Sequence, residues 1–173
     1  MKVFGWIALI LGAMASWAGV WALIVPLDAG SEHAFFAPIR IAAYLAFVLA
    51  PLMTFLPIAR LLSIPLYELE AVVAWSTLLF VFTFINPGDY PPLSVLLLFL
   101  VSLMMSLATL FTLVSYAVGY RILTRRSQKY DFFRARREGY LASIFLVGLL
   151  LLHLLDVLTI VNGALLALII ILL

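Results

Sequence analysis

Cysteine is absent from the 173 residues, which excludes disulfides, thiolate chemistry and Cys-ligated metals. Charge is nearly as scarce. Asp, Glu, Lys and Arg make up 10% of the chain, where a soluble domain carries about a quarter. A chain this poor in charge cannot clothe its surface in polar groups, so its main solvent is lipid. Histidine occurs twice, as His33 and His153. No glycine-rich phosphate loop, metal-ligand cluster or nucleophile–base spacing stands out, so no enzyme activity and no cofactor is expected.

Apolar sequence in runs of membrane-span length is what the chain does contain. Hydrophobic residues account for 67% of it. With about 20 residues needed per crossing, the sequence reads as one all-α transmembrane domain over 1–173, a polytopic helix bundle. About six spans are expected: 3–25, 38–58, 67–85, 93–120, 140–158 and 159–173. A basic loop at 121–138 separates the fourth from the fifth. The plan is three helical hairpins in series. Ala13-Met14-Ala15 resembles a signal-peptidase site, but the apolar run continues through Trp17, Val20, Trp21 and Ile24, so the first span is read as uncleaved. Pro51 and Pro57 fall in the second span and are expected to kink or end it, since each removes a backbone donor. Asn86 to Pro92, NPGDYPP, is a turn dense in helix-stopping residues. The last run ends on Ile-Ile-Leu-Leu without a polar flank. This leads to the expectation that the natural chain continues there or meets a partner.

The charges that exist are placed unevenly. Arg121, Arg125, Arg126, Lys129, Arg134, Arg136 and Arg137 lie in the one loop, seven of the ten Lys and Arg. Set inside by the positive-inside rule, this loop makes both termini cytoplasmic and puts Lys2 and Arg60 on the same side, with Arg40 alone outside. The expected location is a cell membrane crossed several times. The basic residues are also candidate contacts for anionic headgroups, each contributing about 1 kcal/mol near such a surface. Phe132 and Phe133 could insert beside them. Nucleic acid is not expected as a partner, because the loop is pinned to competing headgroups.

Two further features bear on function. Gly5, Ala8, Gly12, Ala15, Gly19 and Ala22 recur at a 3.5-residue period along one face of the first span. Small residues let helix backbones approach closely in lipid. That face is a candidate packing surface for another helix of the chain, a second copy or a partner membrane protein. His153 and Asp156 form an ionisable pair within a span and, at i and i+3, would share a helix face. They are a candidate intramembrane polar site for a small transporter or channel, or a pair that snorkels outward. Glu68 and Glu70 face Arg60 across a short connection, where an interfacial salt bridge is expected. The reading from residues alone is thus a non-enzymatic packing or assembly subunit, with a transporter subunit and an intramembrane enzyme as alternatives.

Residues from about 91 to 173 resemble a group of small multi-span membrane proteins of bacterial candidate phyla. The resemblance rests on an apolar hairpin with a basic loop, then Arg137-Glu138-Gly139 opening a Leu-rich span, then the turn from Leu158 to Asn162. Proteins of that group continue past this point with a polar or acidic residue, which is missing here. The resemblance implies a helical membrane fold and carries no functional residue with it.

Overall fold

The structure, a computed structural model, describes residues 2–25, 36–62, 64, 66–85, 88, 91–122 and 131–172. The helices are α1 (Lys2–Ile24), α2 (Pro38–Leu62), α3 (Tyr67–Phe84), α4 (Pro92–Ile122), α5 (Phe132–Leu154) and α6 (Ile160–Leu172). No strand occurs among the described residues. The expected all-α class is what is found. In hydrocarbon a backbone has no outside partner for its N–H and C=O groups, and a helix satisfies them within the segment. The first five helices are each long and apolar enough to cross a membrane. The sixth is apolar but short, and at 1.5 Å per residue it reaches about 20 Å.

Two compact units divide the chain, Met1–Ser102 and Leu103–Leu173. In the first, α2 packs on both α1 and α3. Its centre is Val20, Ala43, Phe47 and Ala50, with Trp17, Leu23, Ile24 and Leu79 packed around them. Alanines at 43, 50 and 59 are fully buried on α2, as are Ala71 and Ala74 on α3. Small side chains on these faces let the helices close together, and dispersion rewards the approach. Aromatic rings fill the spaces left over. Trp17 meets Trp75 edge-on at 5.8 Å between centroids, and Phe55 meets Tyr67 at 6.2 Å.

The prolines do not end the second helix. It runs unbroken through Pro51 and Pro57 to Leu62. Pro51 has no N–H to give to the carbonyl of Phe47, four residues earlier. Ser76 on α3 supplies the missing donor, its hydroxyl reaching that carbonyl at 2.9 Å. A neighbouring Ser or Thr restoring a proline-freed carbonyl is what makes such prolines tolerable in lipid. Nearby, Thr54 donates back to the Ala50 carbonyl at 2.9 Å and accepts from the Trp17 indole N–H, also at 2.9 Å.

In the second unit the fifth helix is shifted from its expected place. It begins at Phe132, inside the stretch expected to be loop, and ends at Leu154 rather than 158. The start is set by Asp131, whose carboxylate accepts the Arg134 backbone N–H at 3.1 Å, a helix N-cap. Residues 123–130, with Arg125, Arg126 and Lys129, lie outside the described residues. The end is set by Asp156, which adopts φ 54°. That left-handed conformation cannot continue a helix, and Asp is among the few non-glycine residues that visit it. Helix α6 then folds back along α5: a Cβ added to Gly148 would lie 2.9 Å from a Leu166 methyl. Thr159 caps α6, its hydroxyl accepting from the Asn162 N–H at 3.2 Å.

The Ser76–Phe47 bond predicts a specific coupling. Ser76→Ala leaves a carbonyl unsatisfied in an apolar place and should cost about 1–3 kcal/mol in thermal or denaturant unfolding in nanodiscs. Thr77→Ala, which removes a hydroxyl bonded only within its own helix turn, should lie near the parent. In a Pro51→Ala background the helix regains its own donor, and Ser76→Ala should lose most of its effect. An undiminished cost there would mean that the serine acts some other way.

Candidate functional site

In the second unit Gly139 of α5 lies directly on Thr112 of α4. A Cβ built on Gly139 would sit 2.5 Å from the Thr112 nitrogen and 2.8 Å from its Cα. Only glycine fits against backbone at that range. On α5, Ala135, Gly139 and Ser143 are buried at intervals of four residues, a run of small side chains along one face. On α4 the buried face carries Ser106, Thr109 and Thr112. Thr109 donates to the Ser106 carbonyl at 2.7 Å and Ser143 to the Tyr140 carbonyl at 2.8 Å, so both hydroxyls are satisfied inside their own helices.

This close crossing brings together groups far apart in sequence. Glu138, next to Gly139, accepts a hydrogen bond from the Ser115 hydroxyl. Arg134, one turn before Glu138, stands with Nε 3.7 Å from the other carboxylate oxygen. These three line a groove of about 350 Å³ whose walls are Phe111, Val114, Val118, Gly119 and Ala142. One end of the groove is therefore ionic and the rest apolar. Arg136, on another face, stacks its guanidinium over Tyr140 at 5.7 Å. Arg137 is exposed, and Arg121 belongs to the last turn of α4.

The expected polar pair comes out differently. His153 lies in the last turn of α5, and Asp156 lies past its end in the left-handed turn. Both are exposed, and among the described residues neither makes an ion pair. They do not share a helix face, because the helix stops between them. Arg60 forms no ion pair with Glu68 or Glu70 either. Among the described residues no three His, Asp or Glu side chains converge as metal ligands would.

The small-residue face of α1 is largely open. Gly12 approaches α2, where an added Cβ would lie 3.1 Å from the terminal methyl of Met53, but one on Gly19 would meet nothing within 4 Å. Ala8, Ala15 and Ala22 are exposed, and Gly5 belongs to the first turns of the helix. Helix α1 packs on α2 through a different face, that of Trp17, Val20 and Ile24. Two lateral grooves of the first unit lie against α2. One of about 630 Å³ lies along α2 and α3 by Tyr44, Val48 and Phe80. The other, about 460 Å³, lies along α1 and α2 by Met14, Met53 and Pro57. Neither is lined by an Asp, Glu, Lys, Arg or His side chain, so each suits hydrocarbon.

The sequence contained a signal for the α4–α5 crossing. Ala135, Gly139 and Ser143 recur every fourth residue, the spacing of tight membrane helix contacts. The surrounding arginines drew attention to charge instead. The Ser115–Glu138 contact had no local signal, because 23 residues separate the partners.

Five helices of spanning length and composition fit a multi-pass integral membrane protein. No protein-family model matches the chain, and neither a curated protein nor a solved structure is significantly similar to it.

Gly139→Ala should therefore be costly, by about 1–3 kcal/mol, because the new methyl meets backbone that no rotamer change can move. Gly19→Ala is the control: it enters open space and should be neutral or stabilising by up to about 1 kcal/mol from helix propensity. Thermal unfolding of both in nanodiscs decides it. Matching shifts of the same sign would refute the tight crossing.

Proposed function

We propose that this chain is a non-enzymatic assembly subunit of a cell membrane, acting through helix packing with a second copy or a partner membrane protein. The observation that carries the reading is the open small-residue face of α1. Ala8, Ala15 and Ala22 are exposed and Gly19 has no neighbour within 4 Å of an added Cβ. Helix faces meant only for lipid have no need of small residues, whereas close backbone packing does. The exposure of His153, in the last turn of a helix, and of Asp156, past its end, favours this reading over a transport pathway built on them.

In the same reading the basic end of α4 and α5 faces the cytoplasm, where Arg134, Arg136 and Arg137 meet anionic headgroups. Lys2 and Arg60 fall on that side, and α6 returns the chain towards it, so both ends are cytoplasmic. Nine of the ten Lys and Arg are then inside, with Arg40 outside. Helix α2 holds Arg40 near an interface, its guanidinium 5.7 Å from the centre of the Phe84 ring.

The absence of native cysteine makes both parts testable by single-Cys variants in native membranes. Oxidative crosslinking at Ala15→Cys and Gly19→Cys should give a discrete adduct, to a second copy or to another membrane protein. Met14→Cys, exposed on another face of α1, should give none. Absence of adducts at all three positions would end the packing reading. For orientation, an impermeant thiol reagent applied to intact cells should label Gly88→Cys and spare Phe133→Cys. The reverse pattern would invert the topology.

A further inference from the structure

The groove at the basic end of α4 and α5 is more selective than a patch of positive charge. Its ionic end holds one cation and one anion, Arg134 and Glu138, fixed on consecutive turns of α5 with Ser115 opposite. The pair is poorly made as a device for stabilising the helix. Arg134 precedes Glu138, the less favourable order for an i, i+4 pair. It also stands in the first turn, where the helix dipole disfavours a cation. The Nε–Oε1 distance of 3.7 Å is too long for a hydrogen bond, and Arg134 Nε is buried with no hydrogen-bond partner. No other side-chain hydrogen bond or ion pair of Arg134 occurs among the described residues. Both side chains keep access to the outside, at 27% and 46% exposure.

We propose that this groove binds an aminophospholipid, its phosphate on the Arg134 guanidinium and its primary ammonium on the Glu138 carboxylate. Guanidinium presents paired N–H donors that match phosphate oxygens, and a carboxylate accepts from an ammonium in a charge-assisted bond. Ser115 holds one oxygen of Glu138, leaving the other towards Arg134 and the groove. Phe111, Val114, Val118 and Ala142 supply an apolar wall for the glycerol end of the acyl chains. Charge complementarity separates the lipid classes. A choline headgroup has the phosphate but no N–H to give Glu138. A glycerol headgroup has no cation, so it sets its negative charge beside that carboxylate unrelieved. Only a headgroup with both a phosphate and an N–H-bearing cation satisfies both side chains. The assignment rests on the reading that this end of the α4–α5 pair lies at the bilayer surface.

Retention of lipid by the purified full-length protein, measured by native mass spectrometry, tests this. The probe is an equimolar mixture of phosphatidylethanolamine, phosphatidylcholine and phosphatidylglycerol with identical acyl chains. Phosphatidylethanolamine should be retained over each of the others by about tenfold, the discrimination expected of one charge-assisted hydrogen bond. Glu138→Gln keeps an oxygen for Ser115 and should erase the preference over phosphatidylcholine, while Arg134→Gln should weaken retention of all three. Val118→Trp, which fills the groove and leaves both charges, should also erase the preference, and it serves if Glu138→Gln fails to fold. Retention of phosphatidylglycerol equal to or above phosphatidylethanolamine, or a preference that survives both Glu138→Gln and Val118→Trp, overturns the proposal. Co-flotation with vesicles reports separately on the membrane reading: flotation without headgroup preference sinks the lipid site alone, whereas no flotation sinks the reading beneath it.

Discussion

In hydrocarbon, every backbone N–H and C=O has to find its partner inside the protein. That one requirement explains why all the regular structure among the described residues is helical. It also explains the details at the places where a helix cannot close its own bonds. Ser76 serves the carbonyl that Pro51 leaves open. Thr159 receives an N–H at the start of α6, and the Asn162 side chain gives a donor to the Val157 carbonyl at 2.7 Å. Asp131 does the same work at the start of α5. Side-chain oxygens and one carboxamide thus complete the backbone bonds where the helical ladder is interrupted.

The second constraint is electrostatic. Charges are few, and most of the basic ones are gathered around the α4–α5 connection. Within that region the residues do unlike jobs. Asp131 starts a helix, Arg136 lies on a tyrosine ring, and Arg134 stands beside Glu138 at the ionic end of a groove, with Ser115 opposite. The glycine at 139 makes the last of these arrangements possible, because the backbones come near enough for Glu138 to reach Ser115.

Most of the helices were legible in the sequence because lipid demands long apolar runs, and such runs leave a one-dimensional trace. The second, third and fourth spans lie close to where composition put them. The start of α5 was not legible as helix, since seven residues rich in arginine read as loop when charge is weighted over capping. The cap at Asp131 and the small residues at 135, 139 and 143 were the signals to weigh against it. The prolines of α2 were read by their local chemistry alone, which forecasts a break. Their repair comes from a residue on another helix, and nothing near position 51 announces it. Along α1 the small residues were plain to see. Which face packs on α2 was decided by Trp17, whose ring fills space and whose N–H reaches Thr54, a matter of fit in three dimensions. The polar pair failed to form because Asp156 lies in a backbone conformation that a spacing rule does not register.

The serine at position 76 has a consequence for how the protein is made. During synthesis α2 leaves the ribosome before α3 does, and it carries an unbonded carbonyl at Phe47 beneath a buried proline. Alone in hydrocarbon that group would cost several kcal/mol, so α2 gains by lingering at the translocon's wet interior until its partner arrives. Once Ser76 is in reach, the two segments have reason to leave for the lipid as one body. A single hydroxyl would thereby couple the membrane entry of the two helices.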